Sequence, residues 1–422
     1  MKKYICTYIF LLFVLLVEAQ EKVDKKLTVY IDCASTSCDL NYIRSEINII
    51  DFLLDRKAAD IHILITSVPI GSGGNQYKLI FYGQNSHRTE PDTLSFLVKP
   101  VSTEFERRDL LVNHLKMGLA PWVAKTSLAN KVIINMKSEN STESLKDITE
   151  TKDHWNYWVF RAGIEGSVNL DQVYKSSDFT SYFNVNRATD KSKVQFNVYG
   201  GRVKSSFDYE TDLGQLKVIV KNKNYGFDHL YVKSINNHWS YGYQIFYENN
   251  TFKNFKSRYF IIPQIEYSIF PYADINTKFI TLRYGAGRLR NVYYDTTIFD
   301  KTNEILWFHN AQLNMSFNQK WGTIQTGFSY RNFFHNWKFN NLSLYSEIDV
   351  RITGGLSVYT YLSGSLVRDQ INLASGGVSE EEVLSKRRQL QSSYDFFGYI
   401  GINYRFGSKL NNFVNPRFTT FK

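Results

Sequence analysis

From about residue 155 onward the chain alternates apolar and polar residues with a period of two. After Lys193, one face reads Val194, Phe196, Val198 and Gly200; the other reads Lys193, Gln195, Asn197 and Tyr199. Leu342, Leu344, Ile348, Val350 and Ile352 oppose Asn341, Ser343, Glu347, Asp349 and Arg351. Trp307, Ala311, Leu313, Met315 and Phe317 oppose Asn310, Gln312, Asn314 and Ser316. A strand with one apolar and one polar face produces this pattern. Twelve such strands are predicted, near 155–168, 179–187, 192–205, 226–236, 240–252, 255–270, 277–290, 304–317, 322–334, 338–351, 354–366 and 394–406. Soluble sandwich strands cluster at about 5 to 6 residues, and these run about twice that. Connections after even-numbered strands read as short, and those after odd-numbered strands as longer, ending with 367–393. Short turns on one side and longer loops on the other predict an antiparallel transmembrane β-barrel. Only Pro263, Pro271 and Pro416 of the seven prolines fall beyond residue 154, as a region of strands requires.

The last predicted strand carries Ile400, Ile402, Tyr404 and Phe406 on one face, the alternating apolar residues and terminal aromatic of a closing strand. After Gly407 the pattern breaks at Asn411, Asn412, Asn415 and Pro416, which predicts a tail over 408–422.

Before residue 137 the texture differs. Strands are predicted over 27–33, 61–67, 77–82, 93–98 and 132–136. Asp39 is placed to cap a helix over 42–56, where Ile43, Ile47, Ile50, Leu53 and Leu54 recur at helical spacing. A second helix is predicted over 104–125. The order βαβββαβ makes a small α/β domain, residues 20–136. Asp32 and Asp60 read as cap or loop residues beside Asp39. Gly71-Ser72-Gly73-Gly74 joins two strands and lacks the Lys-Ser/Thr of a phosphate loop, so a hairpin turn is expected. Residues 137–153 are polar and aperiodic, a linker to the barrel at 154–407.

The first residues set the compartment. Lys2 and Lys3 precede an apolar run from Ile9 to Val17, and Val17-Glu18-Ala19 offers small residues for cleavage. This predicts a signal peptide over 1–19. No later run reaches the ~18 apolar residues of a membrane helix, so membrane spanning falls to the strands. The 29 Tyr and 31 Phe bring aromatics to 16% at a mean hydropathy of −0.32, a balance that suits alternating strands with interfacial girdles.

Cys6 leaves with the signal, so Cys33 and Cys38 remain, and in an oxidising compartment they are expected to form a disulfide. A structural metal site would need two further ligands at finger-like spacing, and none follows. The net charge of +10 comes without a basic-aromatic recognition motif, so no nucleic-acid partner is expected and the charge is assigned to lumen and loops. The barrel histidines His229, His238, His309 and His335 show no triad arrangement. Neither catalytic residues nor a cofactor are expected.

Trp155-Asn156-Tyr157-Trp158-Val159-Phe160-Arg161, the run Ser379 to Leu384 with Lys386 to Leu390, Tyr404 to Ser408, and Asn415-Pro416-Arg417-Phe418 resemble a family of two-part outer-membrane proteins. That family, uncharacterised and widespread in Bacteroidota-type bacteria, joins a periplasmic α/β domain to a C-terminal barrel. Ala58 to Thr66 extends the resemblance into the first domain, which is also distantly similar to the N-terminal domain of TolB-like periplasmic proteins. The resemblance implies outer-membrane location and this architecture, and the alternation of short turns with longer loops places both termini in the periplasm. It supplies no catalytic residues.

The predicted lumen face carries Arg161, Glu165, Lys193, Arg283, Arg331, Glu347, Asp349, Arg351 and Arg405. Buried charges must pair or stay wet, so this set indicates a watery channel or a cross-barrel ion-pair network. The arginine excess would favour anionic solutes. Three functions compete. The first is a pore or transport component for small solutes. The second is an envelope-assembly scaffold whose barrel anchors residues 20–136 for a periplasmic partner, and the third is a surface enzyme or receptor using the outer loops. Outer-membrane lipid and the barrel insertion machinery are partners under all three. Within 367–393, Glu382 with Lys386, Arg387 and Arg388 has the charge polarity of a helix. That predicted outer-loop helix could fold as a lid toward Glu347 or Asp349.

Overall fold

The computed structural model describes residues 26–33, 36, 38–70, 74–88, 90–133, 155–211, 214–353, 355–376, 392–407 and 417. The signal segment, the linker, most of the C-terminal tail, and Glu382, Lys386, Arg387 and Arg388 lie outside them.

The first domain is a five-stranded sheet of order β2-β1-β3-β4-β5, comprising β1 (Thr28–Asp32), β2 (Asp51–Phe52), β3 (Ile61–Pro69), β4 (Asn75–Gly83) and β5 (Asp92–Val98). Helices α1 (Leu40–Glu46) and α2 (Glu104–Val123) supply its apolar partners. Asp39 caps α1 by accepting from Tyr42 N at 3.0 Å. In α2, Thr103 and Glu106 form a reciprocal capping box, which satisfies two end N–H groups. Val29, Ile61, Ile63, Ile65, Leu79 and Phe81 pack with Leu111, Leu115, Leu119 and Trp122. Gly118 lets the sheet approach α2, because a Cβ there would meet the Phe81 ring at 2.0 Å.

The helix expected over 42–56 is shorter. It ends at Glu46, and Asp51–Phe52 instead pairs in parallel with β1. The free edge of β1 offers hydrogen bonds that a longer helix would forgo: Asp51 N donates to Leu27 O at 2.9 Å and Leu53 N to Val29 O at 2.8 Å. Ile43, Ile47, Ile50 and Leu53 are still buried, whereas Leu54 is only half-buried and Phe52 takes a core place outside the predicted spacing, so the apolar spacing located most of these core residues without fixing their secondary structure. Val132 and Ile133 are not in a strand.

The second unit is a twelve-stranded antiparallel sheet in which neighbours in sequence are neighbours in space. Its strands are β6 (Trp158–Leu170), β7 (Tyr174–Ala188), β8 (Ser192–Thr211), β9 (Gly214–Ser234), β10 (Trp239–Asn250), β11 (Phe255–Ser268), β12 (Lys278–Tyr293), β13 (Asn303–Gln319), β14 (Gly322–Phe333), β15 (Asn336–Thr353), β16 (Leu356–Val367) and β17 (Tyr394–Tyr404). All twelve expected strands are present, in a curled β-barrel sheet. The curl brings Ile262 of β11, Leu289 of β12, Leu306 and Phe308 of β13 and Phe333 of β14 into one cluster on the concave face. Along β12, Gly285, Gly287, Leu289, Asn291 and Tyr293 are buried, while Leu282 and Tyr284 on the other face are about half exposed. Ile265, Leu342, Ile400 and Ile402 share that exposed convex face.

Turns 189–191, 235–238, 269–277, 320–321 and 354–355 mark one end, called here the near end. At the far end, the expectation of uniformly longer loops is corrected. Much of that length is strand, above all in β8 and β9, which stay paired from Ser192↔Lys233 to Thr211↔Gly214. At ~3.4 Å per residue this hairpin spans roughly 65 Å, against an apolar band of about 25 Å in membrane barrels. Only 294–302 and 368–393 remain as long connections. Pro263 sits inside β11 where the β12 ladder has no partner for Ile262 or Pro263, which accommodates the missing N–H. Among the described residues no ladder joins β6 to β17, so these strands are the sheet's two edges.

Candidate functional site

The concave face has three levels, each built around a charged contact. At the near end it meets the first domain. The helix-free face of the small sheet carries Tyr30, Asp32, His62, Leu64, Thr66, Ile80 and Tyr82. Asp32, His62, Leu64, Thr66 and Ile80 on it are buried, whereas the bare face of an open sheet would be wetted. Barrel residues reach this face. Arg351 of β15 donates to both carboxylate oxygens of Asp32, with Nη2 at 2.6 Å from Oδ1, and Lys320 lies 3.6 Å from the centre of the Tyr82 ring.

His62 completes this node, its Nε2 lying 3.2 Å from Asp32 Oδ2. An ionised carboxylate only accepts, so Nε2 carries the proton. Nδ1 is buried with no hydrogen-bond partner among the described residues. Burial lowers the His62 pKa, and the attraction of Asp32 does not fully reverse it. A second proton on Nδ1 would also have no acceptor. For Asp32, burial pushes the pKa up, but the bonds from Arg351 and His62 outweigh it and hold the carboxyl below its ordinary value.

The middle level is a cavity of about 390 Å³ between Lys193 of β8 and Arg283 of β12. Arg283 Nε donates to Glu266 Oε2 at 2.8 Å and Nη1 to Gln312 Oε1 at 3.3 Å. The Tyr272 hydroxyl donates to Glu266 Oε1 at 3.0 Å, and Ser240 Oγ lies 3.0 Å from that hydroxyl. Both oxygens of Glu266 are therefore engaged. Lys193 has no hydrogen-bond or ion-pair partner among the described residues.

At the far end, the start of the last long connection crosses the mouth as a strap. Arg331 of β14 pairs with Asp369, its Nε at 3.0 Å from Oδ2, and Asn341 adds a bond to Oδ1 at 3.3 Å. Ile371 inserts into the Ile262, Leu289, Leu306, Phe308 and Phe333 cluster. Neighbouring loops hold the strap: Arg368 N donates to Asn340 O, Ile298 N to Leu373 O and Ser375 N to Thr296 O, at 2.8 to 2.9 Å. Near the Arg331–Asp369 pair, Arg258 pairs with buried Glu248 at 3.3 Å.

Cross-strand register puts Arg161, Glu165, Lys193, Arg283, Arg331, Glu347, Asp349 and Arg351 on the concave side, with Arg405 just past β17. The structure does not bring them together as one network. Arg161 bonds the Tyr182 hydroxyl at 3.1 Å, and Glu347 accepts from Tyr345 at 2.7 Å. Arg405 lines a cleft with Arg351 and Asp32. Ile400, Ile402 and Tyr404 are exposed on the convex face of β17, and Phe406 is exposed beyond it. Cys33 and Cys38 are joined as a disulfide, their Cα atoms 6.2 Å apart.

The acidic partners Asp32, Glu266 and Asp369 escaped the sequence reading. Asp32, expected as a cap or loop residue, instead ends β1 and is buried beneath a distant arginine. Asp60 is likewise mostly buried, accepting from Thr28 N and Oγ1. The described strap residues 368–376 contain no helix, and the strap covers the mouth through Asp369 and Ile371. His335 lies at the β14–β15 tip between Phe333 and Phe339. Among the described residues no group of three His, Cys, Asp or Glu side chains is placed to hold a metal ion.

No family model matches this chain, and no characterised protein matches it in sequence. Among solved structures it is similar to the NanC porin, at 8% identity over 58% of this chain and 99% of that one, with a TM-score of 0.28. It is also similar to the translocator domain of the autotransporter NalP from Neisseria meningitidis, at 10% identity over 71% and 98%, with a TM-score of 0.25. Scores this low leave the fold assignment to rest on the strand ladder itself.

Proposed function

We propose that this chain is an outer-membrane β-barrel acting as a gated conduit for small solutes, closed at rest at both mouths. The convex face supports the membrane setting: exposed Ile265, Leu282, Leu342, Ile400 and Ile402 form a surface that water would not tolerate over so wide an area. Trp239, Tyr267, Trp321 and Tyr404 stand near its near-end rim, where an aromatic girdle belongs. In lipid the free edges of β6 and β17 must be satisfied, and their antiparallel directions let them pair with each other. The near end, which carries the first domain, would face the periplasm.

The observation that carries the gated reading is the double stopper. One barrel arginine at each mouth, Arg351 and Arg331, holds an aspartate from a segment outside the barrel wall, Asp32 and Asp369. A plain anchor has no need of a polar cavity between two such closures. The docked α/β domain favours the scaffold reading as the second choice, since exposed Val101, Phe105 and Met117 leave it a surface for a periplasmic protein.

Planar-bilayer recording of the full chain separates the two. The wild type should open rarely. Asp32→Asn combined with Asp369→Asn, which weakens both closures without changing side-chain size, should show frequent discrete steps. If the double variant inserts yet stays silent, the conduit reading fails and the scaffold reading stands.

A further inference from the structure

Lys193 and Arg283 face one cavity from strands four apart in the sheet, and their charges are unequally compensated. Among the described residues, Glu266 is the only carboxylate in the cavity lining, and it is already engaged by Arg283 and Tyr272. Lys193 has Arg283 and Glu266 as its charged neighbours, so two cations share one anion and one positive charge is left over. Lumen water can hydrate an ammonium, but it does not account for a partly enclosed cavity built beside it. The rest of the lining includes Leu230, Val232, Ile275 and Phe279, an apolar wall that water alone does not use.

We infer that this cavity binds a small organic monoanion, a carboxylate attached to an apolar or aromatic body. The carboxylate lies between the Lys193 ammonium and the outer edge of the Arg283 guanidinium, and the body rests on Phe279, Ile275 and Val232. One unbalanced positive charge selects a single negative charge, and fixed Glu266 repels a second. The Ser240–Tyr272 hydroxyl pair borders the same space and can accept or donate to a polar substituent. The volume falls at the lower end of the ~300 to 1,000 Å³ usual for small-ligand sites. This deepens the conduit reading by naming its solute class, and it rests on that reading only for the direction of transport.

The test is calorimetric titration of the full-length protein in detergent with benzoate, benzamide and inorganic phosphate. Benzoate should bind saturably, while the neutral isostere benzamide and the phosphate dianion should not. Lys193→Gln should weaken benzoate at least about tenfold, the loss expected for one charge-assisted hydrogen bond, and Lys193→Arg should retain most of the affinity. Lys193 sits on the wetted lumen face, so heat-modifiable gel migration should be unchanged in both variants. No saturable heat from benzoate, equal binding of benzamide, or unchanged affinity in Lys193→Gln would each overturn the inference. Conductance is read separately. Benzoate binding to a silent barrel sinks the conduit and keeps the site; conductance without benzoate binding does the reverse.

Discussion

Arg351, near the end of a barrel strand, closes on Asp32 of the first domain across 319 residues of sequence. The Asp32 side chain is fully buried, whereas the Arg351 side chain keeps about a quarter of its surface exposed. This asymmetry gives the contact its direction: the domain contributes a charge that it cannot leave unpaired, and the barrel supplies the partner. Asp369 and Arg331 repeat the arrangement at the opposite mouth, with 4% of the aspartate side chain exposed and 35% of the arginine.

Removing one partner from a buried pair costs about 3 to 5 kcal/mol, since the remaining charge is stranded. Arg351→Gln should therefore loosen the first domain by that order, with His62 alone left to face Asp32. Exchanging both residues, Asp32→Leu with Arg351→Met, should restore most of the loss, because no charge then stays buried. Limited proteolysis of the full chain in detergent, followed by the release of a fragment containing α2, reads this directly. Equal protease resistance in Arg351→Gln and wild type would show that the ion pair does not hold the domain in place.

The same node predicts how docking responds to acid. His62 has its pKa lowered on folding, so below about pH 6.5 the unfolded chain takes up a proton that the folded one refuses. Stability then falls as pH drops from about 6.5 toward the folded His62 value. Asp32 has its pKa lowered too, and its contribution is lost only lower, below about pH 3.9 and through its folded value. Thermal unfolding followed by Trp122 in α2 should show a lower midpoint at pH 5.5 than at 7.5, and His62→Gln should flatten that difference. A slope that survives the substitution would place the titrating group elsewhere.

How much of this was readable in advance depended on whether the cause was local. Alternation reports which side a residue faces, so the concave position of Arg283 or Arg351 followed from period two alone. Its partner did not, since Asp32 and Asp369 reach their arginines only after the chain has folded. The start of β9 was missed for a different reason. Lys217, Lys221 and Lys223 share the convex face with Tyr225 and Phe227, while Val218 and Val220 are buried on the other side. At this far end of the hairpin the polarity of the two faces inverts, and an apolar-outward template no longer fits. Between Ile47 and Leu54 the template was right about the burial of Ile47, Ile50 and Leu53, missed Phe52 and was wrong about shape, since short apolar runs suit helix and strand alike.

The last prediction concerns the strap. Ile371 is 6% exposed and meets concave-face side chains from β11 to β14, so truncating it opens a void in that cluster. Leucine or isoleucine to alanine in such a setting costs about 2 to 5 kcal/mol. About 3 kcal/mol shifts an opening equilibrium by more than a hundredfold. The barrel wall is untouched by this change, because the strand ladders do not include Ile371. Ile371→Ala should therefore raise the open fraction in planar bilayers while heat-modifiable migration stays as in wild type, and Ile371→Leu should stay near wild-type closure. Asp369→Asn offers an independent route to the same state, since it weakens the hold of Arg331 without creating a void. If Ile371→Ala exposes the strap to protease and the current is still unchanged, the strap covers the mouth without closing it, and the stopper must be sought elsewhere, at the Arg258–Glu248 pair.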